Sequence, residues 1–103
     1  MNSDNRIYVA GHRGLAGSAI LRALQAKGFQ NLITRTREEL DLTDAEATRR
    51  FFEQERPQYV FLAAAKVGGI HSNNTFPAEF LRENLLIQTH VLHESWRVGV
   101  KKL

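Results

Sequence analysis

A chain of 103 residues, 43% of them hydrophobic, can enclose one apolar core and is at most one domain. Its net charge of +3 comes from 14 basic and 11 acidic residues that are scattered rather than striped, so nucleic acid is not an expected partner. Without cysteine, these residues offer neither a disulfide framework nor a thiolate metal site. No apolar stretch reaches the length of a membrane span, and Met1-Asn2-Ser3-Asp4-Asn5 lacks the regions of a signal peptide, which points to a cytoplasmic protein that engages no membrane.

Ile7 to Ala10 is a short run of strand-favouring or small residues between polar Asn2–Arg6 and a glycine, the pattern of a buried strand. Glycine then recurs at every third position of Gly11-His12-Arg13-Gly14-Leu15-Ala16-Gly17. Leu15, Ala19, Ile20 and Leu24 follow at helical spacing as far as Lys27, and Gly28 supplies a left-handed stop. Strand, glycine turn and helix N-terminus together turn unpaired N–H groups and the positive end of a helix dipole toward one point, where a phosphate fits. Gly11 is expected to permit the tight turn, Gly14 to let the backbone approach a pyrophosphate, and Gly17 to let the helix pack closely on the strand. The spacing is G-x-x-G-x-x-G rather than G-x-G-x-x-G, so the dinucleotide reading leans on the flanking strand and helix; a ligand-free βα turn is the alternative.

Asn31 to Thr34 predicts a second strand, which ends in Arg35-Thr36-Arg37. Both arginines stand near the offset of about 20 residues at which a dinucleotide fold meets the adenosine ribose. An acidic residue there would read the 2′-hydroxyl of NAD, whereas arginine accommodates the 2′-phosphate of NADP. Arg13 could reach the same phosphate from the turn, so NADP(H) is the expected cofactor, with solvated loop charges as the plain alternative. Glu38 and Glu39, beyond the arginines, read as surface residues. Thr43 and Glu46 have the spacing of a capping box for a second helix, with Ala47, Phe51 and Phe52 as its apolar face and Pro57 as its stop. Asp41 and Leu42 would pass the adenine ring, although helix entry alone also explains Asp41.

Tyr59 to Ala65 predicts a third strand, apolar throughout as a doubly covered parallel strand should be. It ends in Ala63, Ala64 and Ala65, small enough to leave room for a ligand at the sheet edge. The loop Lys66-Val67-Gly68-Gly69-Ile70 continues to Asn73-Asn74-Thr75 and faces the ligand side, where Lys66 could hold a phosphate or a sugar hydroxyl. From Pro77 a long helix runs to about Val98, with Asn84 and Gln88 beside its apolar stripe. His90, His93 and Glu94 do not have zinc-site spacing and lack a further ligand, so no metal is expected and the histidines read as solvated.

The runs Val9–Ile20, Arg35–Leu40 and Ala63–Ile70, with Asn73-Asn74-Thr75, resemble the GDP-L-fucose synthases, epimerase-reductases of the extended short-chain dehydrogenase/reductase class. The alanine-lysine-valine-glycine-glycine segment carries that resemblance more specifically than the glycine turn, which the whole class shares. The resemblance implies NADPH-dependent conversion of GDP-4-keto-6-deoxy-mannose to GDP-L-fucose, a GDP-sugar substrate and a homodimer once complete. It places Gly11, His12, Arg13, Gly14, Leu15, Ala16, Gly17, Arg37, Asp41, Leu42, Ala63, Ala64 and Ala65 at the cofactor. Lys66, Val67, Gly68 and Gly69 match the loop bordering the active site. The family's serine, Tyr-x-x-x-Lys set, and acid/base cysteine and histidine lie C-terminal to these residues. Tyr8 and Tyr59 are not followed by lysine four residues on, so no catalytic residue is assigned within the chain and the fragment alone is expected to be inactive.

The expected fold is the first half of a Rossmann-like doubly wound parallel sheet, three β-α units forming the N-terminal part of an NADP(H)-binding domain. Strands in the order 3-2-1 would leave strand 1 at an edge, awaiting a fourth strand that begins near Lys101-Lys102-Leu103, so the chain is expected to be a portion of a longer polypeptide or to be completed by another. Other nucleotide-sugar epimerases or dehydratases share the fold, but the lysine-valine-glycine-glycine loop argues against them. A non-enzymatic dinucleotide-binding module is the remaining reading.

Overall fold

The computed structural model describes residues 4–63 and 78–101. In chain order it contains β1 (Ile7–Ala10), α1 (Leu15–Ala26), β2 (Leu32–Ile33), α2 (Ala45–Glu55), β3 (Tyr59–Leu62) and α3 (Ala78–Arg97). All three strands are parallel, in the order β2-β1-β3.

Side-chain alternation sorts the core onto two faces of this sheet. Ile7 and Val9 of β1, with Leu32, Tyr59 and Phe61 of the neighbouring strands, meet Ile20, Leu21 and Leu24 of α1. Tyr8 and Ala10, with Ile33, Val60 and Leu62, meet Phe51 and Phe52 of α2 and Ile87 and Val91 of α3. The second face is closed by three rings. Tyr8 and Phe51 have centroids 4.6 Å apart, and Phe52 stands nearly edge-on to both. Such contacts add about 0.5–1.5 kcal/mol each beyond area burial. The result is a three-layer, Rossmann-like half-domain.

Strand 1 is not at an edge, as the sequence suggested: β2 and β3 occupy its two sides. The reason is the hand of the crossovers. Parallel β-α-β connections are right-handed, so a helix on one face and the next helix on the other reverse the direction in which strands are added. With α1 on one face and α2 on the other, β3 emerges on the far side of β1. Both sides of β1 are therefore taken, and Lys101 donates its N–H to the Gln58 carbonyl at the start of β3, 2.8 Å away, rather than approaching β1.

The helix ends follow their sequence signals with one exception. α1 stops in a Schellman motif, with Phe29 N–H bonded to the Leu24 carbonyl and Gly28 at φ +90°. α2 is capped not by Thr43 but by Asp44, whose carboxylate accepts from the N–H groups of Glu46 and Ala47. Thr43 is engaged instead with Asp41, two residues earlier. Left-handed Arg56 then ends α2, with Pro57 directly after it.

The turn after β1 depends on two glycines. Gly11 has φ +82°, a conformation L side chains rarely adopt. Gly17 is buried against that turn: a Cβ there would stand 1.9 Å from the Gly11 carbonyl oxygen and 2.6 Å from its carbon, with backbone on both sides of the clash. Gly17→Ala is expected to destabilise the fold by roughly 2–4 kcal/mol, an overpacking cost that backbone cannot relieve by a rotamer change. Chemical denaturation of the variant beside wild type measures this.

Candidate functional site

The C-terminal end of β1 opens into a cavity of about 320 Å³. Gly11, His12, Arg13 and Gly14 line it from the turn, and Arg35 to Glu38 with Leu40, Asp41 and Leu42 from the connection between β2 and α2. Tyr8, Ala63 and Ile87 complete the wall. α1, which follows β1, and α3, which follows β3, pack on opposite faces of the sheet, and such a switch point is where open α/β sheets bind ligands.

The two helix N-termini differ in a way that matters to an anion. α2 starts with Asp44 bonded to two of its free N–H groups and Glu46 in its first turn. α1 starts at Gly14 with no side-chain cap and no acidic residue in its first turn. Its first N–H groups and the positive end of its dipole are therefore uncompensated. Gly14 lines the cavity with ordinary extended dihedrals, φ −74° and ψ 169°, and a Cβ there would meet only the Gly11 carbonyl, at 3.4 Å. Folding alone does not demand glycine at this position. The missing side chain leaves space in the cradle, room of the kind an anionic group at a helix N-terminus requires.

His12 strengthens the fit. Its Nδ1 is buried and has no hydrogen-bond partner among the described residues. A polar atom in that condition costs about 1–3 kcal/mol unless something supplies a bond. A ligand in the adjoining cavity can do so.

The three arginines of the cavity wall are in different states. Arg35 is occupied: its guanidinium bonds the Thr34 carbonyl at 2.8 Å, pairs with Glu55 at 3.3 Å and lies 5.3 Å over the Phe51 ring. Glu55 is held in turn by Arg6 at 2.8 Å. Arg35 thus ties β2 to α2 and is not free to clamp a phosphate. Arg37 is 69% exposed and pairs with Glu83 of α3 at 3.5 Å, an exposed pair worth less than about 1 kcal/mol. Arg13 is exposed on the turn. Among the described residues of the cavity wall, Arg37 and Arg13 are the cations left to an incoming dianion.

The exposed acidic groups Glu39 and Asp41 in the same connection are engaged in local bonds. The Glu39 carboxylate accepts the Thr36 N–H at 2.8 Å, which holds its pKa below the ordinary value. Asp41 accepts from the Thr43 hydroxyl at 2.6 Å and from the Thr43 N–H at 3.0 Å. Those two bonds, with a smaller contribution from Arg37, hold the Asp41 carboxyl below 3.8. Tyr8 behaves oppositely: burial pushes its phenol far up, and Arg35 offsets little of that. It forms wall, not an acid or base.

Of the residues singled out in the sequence, Gly11 to Gly14, Arg37, Asp41, Leu42 and Ala63 come together at the cavity. Leu15 and Ala16 are exposed at the start of α1, and Gly17 lies buried behind the turn. Ala64, Ala65, Lys66, Val67, Gly68 and Gly69 lie outside the described residues. The cavity also includes Leu40, the last residue of the Arg35–Leu40 run, and recruits Tyr8 and Ile87, which the sequence presented only as parts of a strand and of a helix and which no motif marks. His90 is not solvated: its Nδ1 lies 2.7 Å from the Leu42 carbonyl. His93 packs toward Trp96 with ring centroids 6.0 Å apart. No group of metal-ligating side chains occurs among the described residues, and no helix among them is long and apolar enough to cross a membrane.

The Asp41 environment gives a pH prediction. A folded pKa below the unfolded one contributes stability that is present above the unfolded value and is lost as pH falls through the folded value. Thr43→Val removes the shortest of the bonds responsible. The Asp41 carboxyl, followed by NMR titration, is expected to move back up toward its ordinary value in that variant, and the stability lost on acidification between the unfolded and the folded pKa to become smaller, with the loss complete at a higher pH than in wild type.

Comparison with known proteins places this geometry among relatives. The profile of the NAD dependent epimerase/dehydratase family matches residues 7–103. The chain is 61% identical over 98 residues to GDP-L-fucose synthase 1 of Arabidopsis thaliana, covering 95% of this chain and 30% of that protein. It is 48% identical over 101 residues to GDP-L-fucose synthase of Escherichia coli K12, covering 98% and 32%. Among solved structures, a GDP-mannoheptose C4 reductase from Campylobacter jejuni with NADP bound superimposes with a TM-score of 0.92 at 47% identity, over 100% of this chain and 30% of that one. The chain therefore spans about 30% of the length of such relatives.

Proposed function

Since the chain belongs to the NAD dependent epimerase/dehydratase family, we propose that it forms the N-terminal part of an NADP(H)-binding Rossmann-like domain in an NADPH-dependent enzyme that converts GDP-4-keto-6-deoxy-mannose to GDP-L-fucose. The observation that carries the cofactor assignment is the uncapped, acid-free N-terminus of α1 beside a cavity that also bears Arg13 and Arg37. The names and identities of the fucose synthases support the reaction. A 4-keto reductase acting on another GDP-linked sugar is the second reading, favoured by 47% identity to the GDP-mannoheptose reductase.

In this reading the bound cofactor supplies hydride to the substrate ketone, and the residues of this chain bind and orient it. The first N–H groups of α1 hold the pyrophosphate, with Gly14 leaving it room. Arg37 exchanges its weak pair with Glu83 for the 2′-phosphate, joined by Arg13, in the charge-assisted geometry that arginine suits. Asp41 and the Leu42 backbone face the base, Ala63 lines the cavity beyond β3, and Ala64 and Ala65 are assigned to the cofactor by the family resemblance alone. Lys66, Val67, Gly68 and Gly69 border the sugar. The proton transfers of epimerisation fall to residues outside this chain. A cytoplasmic homodimer belongs to the same reading; the exposed Leu85, Leu92 and Trp96 of α3 support a covered face there.

Two measurements on the complete polypeptide test the assignment. Arg37→Ala is expected to weaken NADPH about 10- to 100-fold more than NADH, the worth of one charge-assisted bond; equal losses would remove the 2′-phosphate assignment. Gly14→Val is expected to fold yet bind neither dinucleotide by isothermal titration, because its side chain takes the space of the pyrophosphate. Retained binding would mean that the cradle serves no phosphate.

A further inference from the structure

The adenosine side of the cavity is formed by Leu40, Asp41 and Leu42, which belong to no helix or strand. Their local bonds run back to Thr36 and forward to Thr43 and Asp44. A distant bond also reaches them: His90, 48 residues on in α3, places Nδ1 2.7 Å from the Leu42 carbonyl. A carbonyl oxygen only accepts, so Nδ1 carries the proton and donates.

The peptide between Leu42 and Thr43 is thereby held at both ends. Its C=O takes the His90 Nδ1–H, and its N–H donates to Asp41 Oδ1 at 3.0 Å. The same Asp41 oxygen accepts the Thr43 hydroxyl at 2.6 Å. Turning that peptide would release the Asp41 carboxylate from its orientation on the cavity wall. On α3, Ile87 stands one turn before His90 and lines the same cavity. The helix therefore backs the rim and bonds to it.

We propose that His90 is a positioning residue of the dinucleotide site: through the 42–43 peptide it fixes the Asp41–Leu42 rim against which the adenosine portion of the cofactor lies. The inference rests on the dinucleotide reading above and adds α3 to it. Because the rim faces the part that NADPH and NADH share, the loss of this bond affects both cofactors alike. The loss of Arg37 affects one.

The test replaces the ring without and with its donor, in the complete polypeptide. His90→Phe keeps a planar ring and loses the Nδ1–H. His90→Asn loses the ring and keeps an N–H donor at the δ position. Calorimetric titration is expected to give Kd values for NADPH and NADH both raised about five- to tenfold in H90F, the worth of one hydrogen bond, and values within about twofold of wild type in H90N. Recovery by asparagine distinguishes positioning from general packing, which the smaller residue would worsen. Wild-type affinity in H90F, equal losses in H90F and H90N, or a loss confined to NADPH would each overturn the assignment of His90. Failure of the unsubstituted protein to bind either dinucleotide would overturn the cofactor reading, and this one with it.

Discussion

The side chains of β1 leave the strand in alternation, Ile7 and Val9 toward α1 and Tyr8 and Ala10 toward α2 and α3, and none of the four is more than 1% exposed. Full burial of a side chain the size of valine or isoleucine contributes about 1.5–3 kcal/mol, and here it does so on both faces of one strand. That requirement for cover on both sides makes the connections change faces. Once α1 and α2 lie on opposite faces, right-handed crossovers put β2 and β3 on opposite sides of β1, and the crevice at the strand's C-terminal end follows. The cavity is thus a by-product of how the central strand is buried.

What the crevice can hold depends on how its charges are spent. The connection that follows β2 carries Arg35 and Arg37, two residues apart. Arg35 is consumed by Glu55 and the Phe51 ring, where it secures the second strand to α2. Arg37 is left with an exposed and weak partner. Structure and site therefore divide the pair between them. A similar division separates the helix termini: α2 uses its own acids as caps, whereas α1 leaves its N–H groups to whatever occupies the cavity. The cost of an open terminus and of the buried, unpartnered His12 nitrogen is borne by the fold until a ligand meets them.

Local signals were legible wherever the physics is local. β1 spans the residues its composition indicated. Gly28 ends α1, and α3 begins directly after Pro77. Gly11 and Gly17 have the roles their spacing implied, because a positive φ and a helix crossing close to a turn both require the absence of a side chain. The capping residue of α2 was displaced by one position, since Asp44 and Thr43 are both competent caps and only the bond from Thr43 to Asp41 decides between them. His90 reads as solvated in the sequence, because nothing in a helical periodicity identifies a carbonyl 48 residues away.

Read alone, the sequence determined the parallel β-α alternation, the glycine turn and the basic end of the second strand, because each is written in neighbouring residues whose steric and charge preferences act over one or two turns of chain. The tertiary structure decided the rest: that β1 is central rather than peripheral, that Arg35 is bound while Arg37 is exposed, and that α3 holds the rim of the cavity. Each of these depends on which face of the sheet a distant segment covers, and that is set by crossover hand and burial across the whole chain rather than by any local run of residues.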